Sequence, residues 1–369
     1  MCHTDIKNRF KFYEKFLLII LMCWPLKEKL IFTRLFKEQS ILSSFTYLED
    51  KSTILQELKD FASLPKIVFL KTVYLYLKSK NWLRYIFALL VVVTYLLLSN
   101  WSLQIAAYFS YLFLVIGLML IGIPHGALDH LLSKKKNSSL FFFLLKYVVI
   151  AGLYFVFWQF FPLLALIVFV VYSCFHFGES ELIENNIQVD SIVAHFKAFA
   201  MGLSILLFII FSHFEESLDI VANLAPFPES TYLKLNFTIT SRIVAGLSFV
   251  YIFIQSIKSK NWSYIGLLFL LVLGAKVPLM LAFGFYFILQ HSFNAWQHLK
   301  QGLNMNSIQL YKKSSIYTYS ALVIFILTAF YANEIISMNG LIANFFIFIA
   351  CISFPHFFLM HIFYKIKNQ

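Results

Sequence analysis

Four histidines in this sequence stand in the same local setting. His125 lies in IGIPHGALDH, His176 in CFHFGE, His291 in QHSFNAWQH and His356 in FPHFF, each near the end of a long apolar run. Three are followed by a lysine after the same interval: His125 to Lys134, His291 to Lys300 and His356 to Lys365 are each nine residues, about 13 Å of helix. His176 instead precedes an acidic stretch holding Glu179, Glu181 and Glu184. Four separate segments thus present an imidazole at one depth. A lone histidine in a membrane is usually a hydrogen-bonded packing residue, because polar groups there are costly and turn to the protein interior. Four at one level are better satisfied by one shared metal than by four unrelated partners. Imidazole donors suit zinc, copper, iron or nickel. Iron(II) among neutral imidazoles, with O2 dissolved in the surrounding lipid, would make an oxygenase centre.

Spacing ranks the neighbouring polar residues. His130 and His361 each follow a member of the set by five residues, about 140° around a helix, so they face elsewhere. His298 follows His291 by seven and shares its face, but lies about 10 Å further along the axis. Asp129 comes four residues after His125 and Glu179 three after His176. Both are on the helical face of their histidine. Each is expected to accept the N–H of the imidazole that does not bind metal. Gly122 and Gly126 form a GxxxG spacing, and Gly178 follows His176; small residues let helices approach closely.

The elements that carry these residues read as membrane helices. The 369-residue chain is 60% hydrophobic and 13% charged, against about 25% charge in soluble domains. Apolar runs of about 18 to 22 residues match the thickness of a bilayer, and a lipid-embedded backbone must bond to itself. The fold class is therefore all-α, a polytopic transmembrane bundle with about ten spans. They lie near 84–99, 103–124, 139–159, 162–178, 192–212, 240–257, 262–275, 277–298, 317–331 and 341–363. Residues 1–80 are richer in charge and form a cytoplasmic or membrane-surface extension; 81–369 is the membrane domain.

The net charge of +12 is placed by the spans rather than by a nucleic-acid partner. With ten spans, the basic clusters around Lys78–Arg84, Lys134–Lys136, Lys258–Lys260, Lys300–Lys313 and Lys365–Lys367 share one side. The positive-inside rule makes that side the cytoplasm of the inner (plasma) membrane and puts both termini there. The four cysteines are scattered, with no CxxC pair for zinc or a disulfide framework. A di-iron desaturase would need HxxxH or HxxHH spacings, which the chain lacks. A transporter or proton channel with a histidine relay is the alternative. It would favour internal repeats and ionisable groups at mid-bilayer.

PHGALDH (124–130), HFGE (176–179), HS followed by a further histidine (291–298) and PH (355–356) resemble the Brp/Blh family of membrane β-carotene 15,15′-dioxygenases, over about residues 85–363. The resemblance implies Fe(2+) held by His125, His176 and His291. It also implies O2-dependent cleavage of β-carotene to two all-trans-retinal, and a link through retinal to a microbial rhodopsin. One departure leaves the fourth ligand open. The family commonly has a histidine four residues after that of HS, where this chain has Ala295. Motif order then selects His298, and depth selects His356. A polyene offers no polar handle, so an apolar tunnel must set the cleavage position. Phe177, Tyr286 and Trp296, with Phe285, Phe287 and Phe293, are its expected walls.

Overall fold

The computed structural model describes residues 82–132, 139–224, 234–259, 262–331 and 338–367. The extension 1–80 and the lysine run Lys134–Lys136 lie outside them. All regular structure among the described residues is helical. We number the helices α1 (Leu83–Trp101), α2 (Leu103–Leu132), α3 (Leu140–Phe160), α4 (Pro162–Glu184), α5 (Ile192–Ser212), α6 (Phe214–Leu224), α7 (Lys234–Ser259), α8 (Trp262–Gly274), α9, α10 (Ser307–Tyr331) and α11 (Met338–Lys367). Helix α9 is continuous through Leu279–Gly284, Phe285–Ser292 and Phe293–Gly302.

Among the described residues, seven helices are long and apolar enough to cross a bilayer: α1 to α5, α7 and α11. They coincide with seven of the expected spans. The other three, 262–275, 277–298 and 317–331, are also helical, but α8 is only a short apolar helix. Helix α9 is too polar past Gln290, and α10 begins with Lys312 and Lys313 in its first two turns. Large apolar side chains on α1, α3, α7 and α10 face outward, among them Leu97, Leu153, Leu247 and Leu327. That is the surface a membrane protein shows to lipid.

Local sequence sets the helix ends. Ser102 and Ser191 cap α2 and α5 by accepting from the amides of Ile105 and Ala194. Pro162 opens α4, where a missing N–H costs nothing. Asn186 and Asn304 have positive φ just past α4 and α9. The amides of Ile187 and Met305 then bond back to the carbonyls of Leu182 and Lys300, the αL stop that asparagine tolerates better than most residues.

Packing places the histidine helices. Lipid tails are as apolar as leucine, so helices associate here by close contact and hydrogen bonds. Beyond the histidine level, Leu128, Ile183, Ala295, Leu299 and Met360 meet in one buried cluster with Trp296, Leu310 and Tyr364. Each of α2, α4, α9 and α11 enters that plug within two turns of its histidine, which fixes the four rings at a common height. Gly178 of α4 and Gly202 of α5 cross backbone to backbone. A Cβ on either would overlap the carbonyl of Ala198 or Cys174. The close approach expected of Gly178 is therefore made, but to α5, which brings no histidine to the cluster.

Candidate metal centre

Three of the four histidines sit where the helix is irregular. In α2 the ladder widens to a π-helix over Leu118–Gly122 just before Pro124. Proline cannot donate to the preceding turn and its ring crowds the carbonyl four residues back, so the turn opens. A single short helix, Ile123–Gly126, then carries His125, and a further break precedes Asp129–Leu132. In α9 the π-helix Phe285–Ser292 contains His291 itself. Such π segments are frequent at functional sites. In α11, Pro355 stands directly before His356 inside the helix. Tyrosines from α3 and α4 bond to carbonyls near it: Tyr147 donates to Ile352 at 2.8 Å and Tyr172 to Ala350 at 2.7 Å. Only α4, with His176, is regular through its histidine.

The four rings form a closed circuit. Centroids are 5.1 Å apart for His125–His356, 5.3 Å for His356–His176, 4.8 Å for His176–His291 and 5.6 Å for His291–His125. All four residues are at most 5% exposed. Imidazoles bound to one ion through nitrogen at about 2 Å have centroids about 4.5–5.2 Å apart in cis or tetrahedral positions. Two of the observed separations, 4.8 and 5.1 Å, fall in that range, and the other two, 5.3 and 5.6 Å, lie just above it. The donors are not drawn together as in a closed site: among the described residues no three His, Cys, Asp or Glu side chains already form one.

The nitrogens are oriented for such a role. Nδ1 of His356 donates to Asp129, 2.8 Å from Oδ1 and 3.0 Å from Oδ2. The carboxylate fixes the tautomer and leaves Nε2 bare, and that atom is buried without a partner. The Tyr147 hydroxyl reaches the same carboxylate at 3.2 Å. Nδ1 of His125 is occupied by the Ile121 carbonyl at 3.1 Å, which frees Nε2. Both nitrogens of His176 and Nδ1 of His291 are buried with no hydrogen-bond partner. Unpaired buried polar atoms cost about 1–3 kcal/mol each, so a cluster of them asks for a ligand. Neutral imidazoles fit a divalent transition metal.

The remaining candidates fall elsewhere. His298 faces Glu184 at 3.1 Å and the ring of Tyr364, in the plug beyond the cluster. Its seven-residue offset from His291 carries it two turns away along an essentially straight helix end. Asp129 serves His356 rather than His125, because the break at Ala127–Leu128 removes the i, i+4 relation the sequence suggests. Glu179 pairs with His361 at 2.6 Å, not with His176, since α11 presents His361 to that side of α4. His130 bonds to the carbonyl of Ala127 and packs on Tyr317.

An apolar cleft of about 590 Å³ leads to the cluster and is lined by all four histidines. Phe177 and Phe287 form its wall beside His291, at 4.8 and 5.6 Å. Tyr286 lies one layer behind, against Phe177, and Trp296 belongs to the plug. Neither lines the cleft, because successive residues of a helix face different ways. Residues 116–364, about two thirds of the chain, match the family described as Beta-carotene 15,15'-dioxygenase. The chain belongs to the beta-carotene 15,15'-dioxygenase family. No curated protein and no solved structure matches it. Every member of the histidine circuit falls inside the matched stretch, as does Asp129. For a beta-carotene dioxygenase the apolar lining fits the substrate class, a long hydrocarbon with no polar group to bind.

A second buried assembly in this chain has no counterpart in the motifs. Arg84 of α1 is 7% exposed. It donates to Asn294 Oδ1 at 2.6 Å, to the Leu289 carbonyl at 3.1 Å and to the Tyr85 hydroxyl at 2.8 Å. Gln290 continues the network to Glu181 at 3.1 Å. Arg84, counted in the sequence among the basic residues that orient the first span, is buried and tied to the π-helix that holds His291. The carbonyl of Leu289 lies within that π segment and is satisfied by the guanidinium. The signal was available: Gln290 and Asn294 flank His291 on a buried helix and need partners.

Proposed function

We propose that this chain is an iron(II)-dependent dioxygenase that cleaves β-carotene at its central 15,15′ double bond with O2, giving two all-trans-retinal. The observation that carries the proposal is the circuit of four buried imidazoles at the wall of an apolar cleft, in a chain of this family. His125, His176, His291 and His356 would hold the metal. Iron(II), when bound, supplies the activation of O2 towards an alkene. The protein supplies everything else by position. Asp129 keeps the proton of His356 on Nδ1, so that Nε2 stays an electron-pair donor. Tyr147 shares its one hydroxyl proton between the Ile352 carbonyl and that carboxylate. Phe177 and Phe287 exclude water beside His291 and offer π-faces to a polyene. Cleavage position follows from where the cleft stops the hydrocarbon relative to the four rings, since no polar group on the substrate can register it.

A histidine relay for protons would call for a wet, polar path. Apart from the histidines, Asp129, Asn344 and a few hydroxyls, the cleft is lined mainly by apolar side chains. The basic loops support a reading in which both termini lie on the cytoplasmic side of the inner membrane, and retinal released into the bilayer would supply a retinal-binding photoreceptor such as a microbial rhodopsin. The test is expression in a β-carotene-accumulating host. Loss of orange colour with formation of retinal is expected. Persistent colour and no retinal, with abundant membrane-inserted protein, would overturn the reading.

A further inference from the structure

We infer that the carotenoid reaches the histidine circuit sideways from the bilayer, through an opening between α3 and α10 whose rim is set by Gly152 and Ser320. The inference rests on the proposed substrate and adds the route and the residues that gate it. Four residues line the cleft and are at the same time exposed on the outer surface: Val148 and Gly152 on α3, Ser320 and Ile324 on α10. Val148 is 62% exposed and Ile324 49%. A side chain can do both only at a mouth. Helix α3 packs on α4 and α11, and α10 packs on α11 and on the Ile123–Gly126 segment, with no extensive interface between α3 and α10 among the described residues.

The mouth lies close to the chemistry. Tyr147, next to Val148, bonds to Asp129, which bonds to His356. On the other side, Tyr317 packs on His130 one turn before Ser320. The surface around the mouth belongs to lipid: Phe141, Phe142, Leu145 and Val149 of α3 are all exposed. A hydrocarbon this insoluble in water is concentrated in the bilayer, so a lateral mouth meets it directly. The rim also has the dimensions to be selective. Gly152 has no side chain, and a Cβ added there would meet no other atom within 4 Å. Bulk at this point would narrow the passage without clashing with the fold.

The test compares Gly152→Trp with Gly246→Trp. Gly246 is an exposed glycine of α7 whose Cβ would also meet nothing within 4 Å, and it does not line the cleft. Ser320→Trp narrows the same mouth from the opposite helix. Each variant is measured for retinal formation at limiting β-carotene, for iron content, and for β-carotene retained on the protein under anaerobic conditions. Both mouth variants should keep wild-type iron content, slow retinal formation about tenfold through reduced association, and retain less carotenoid. Gly246→Trp should match wild type. If Gly152→Trp and Ser320→Trp both cleave at the wild-type rate, the route is wrong although the enzyme reading stands. If wild type itself forms no retinal, the proposed function fails and the route with it.

Discussion

Helix α9 borders two buried polar assemblies that differ in what their polar atoms engage. On one face, Arg84, Asn294, Tyr85, Gln290 and Glu181 bond to one another and to the Leu289 carbonyl, leaving Arg84 Nε and Glu181 Oε1 buried without a partner. On the other, His176, His291 and His356 keep buried nitrogens with no partner and turn them towards an apolar cleft. Gln290 and His291 are adjacent in sequence, so the same π segment serves both. Side chains bonded to one another and to a carbonyl fix a backbone; rings that line a cleft with bare nitrogens are poised to bind. The first assembly holds the ring that the second puts to use.

The sharpest break between them comes from deleting a ring. His176→Ala should lose bound iron and retinal formation entirely while the protein remains folded, read by metal analysis and product formation on the same sample. Next in size, Asp129→Asn removes the acceptor that fixes His356 Nδ1; iron affinity should fall by about 10–100-fold, measured by metal titration. Arg84→Met acts on the other assembly. It leaves Asn294 and the Leu289 carbonyl without their donor, a loss of about 1–3 kcal/mol for each buried group left bare, seen as a lower unfolding temperature in detergent. Iron should still bind to the fraction that stays folded, and Arg84→Lys should recover part of the stability. If Arg84→Met lost iron at unchanged stability, the division of labour drawn here would be wrong.

Two smaller effects mark the edges of the comparison. Gly178→Ala pushes a Cβ into the Ala198 carbonyl and must part α4 from α5, at about 1–3 kcal/mol. Stability should drop with iron affinity less affected, because α5 carries no ring of the circuit. His298→Gln removes a contact to Glu184 in the plug and should cost about 1 kcal/mol or less, with iron content and product unchanged. An iron loss in His298→Gln would move the fourth ligand from His356 to His298.

Depth was legible in the sequence; orientation was not. Three equal histidine-to-lysine intervals and a common running direction place His125, His291 and His356 at one height, and the plug of Leu128, Ala295 and Met360 is the packing behind that regularity. Periodicity also separates His130 and His361 from the circuit. It fails for Asp129 because Pro124 and the π turn before it break the helix, so that an i, i+4 neighbour serves a ring 227 residues away. It fails for Glu179 because a helical face says nothing of which helix will cover it. In the sequence, Arg84 is one more basic residue at a span end and serves only to orient the first span. Its burial follows from the polar demands of α9, which only the folded chain brings into reach. Tyr286 and Trp296 were credited to the cleft by proximity in sequence to His291. One layer of rotation around α9 sends them into the core instead.

X-ray absorption at the iron edge of the purified, iron-loaded protein tests the central claim most directly. The account predicts nitrogen scatterers with the multiple-scattering pattern of four imidazoles on one ion, and loss of the iron signal in His176→Ala. A wild-type spectrum without imidazole scattering, or an unaltered spectrum in His176→Ala, would contradict it.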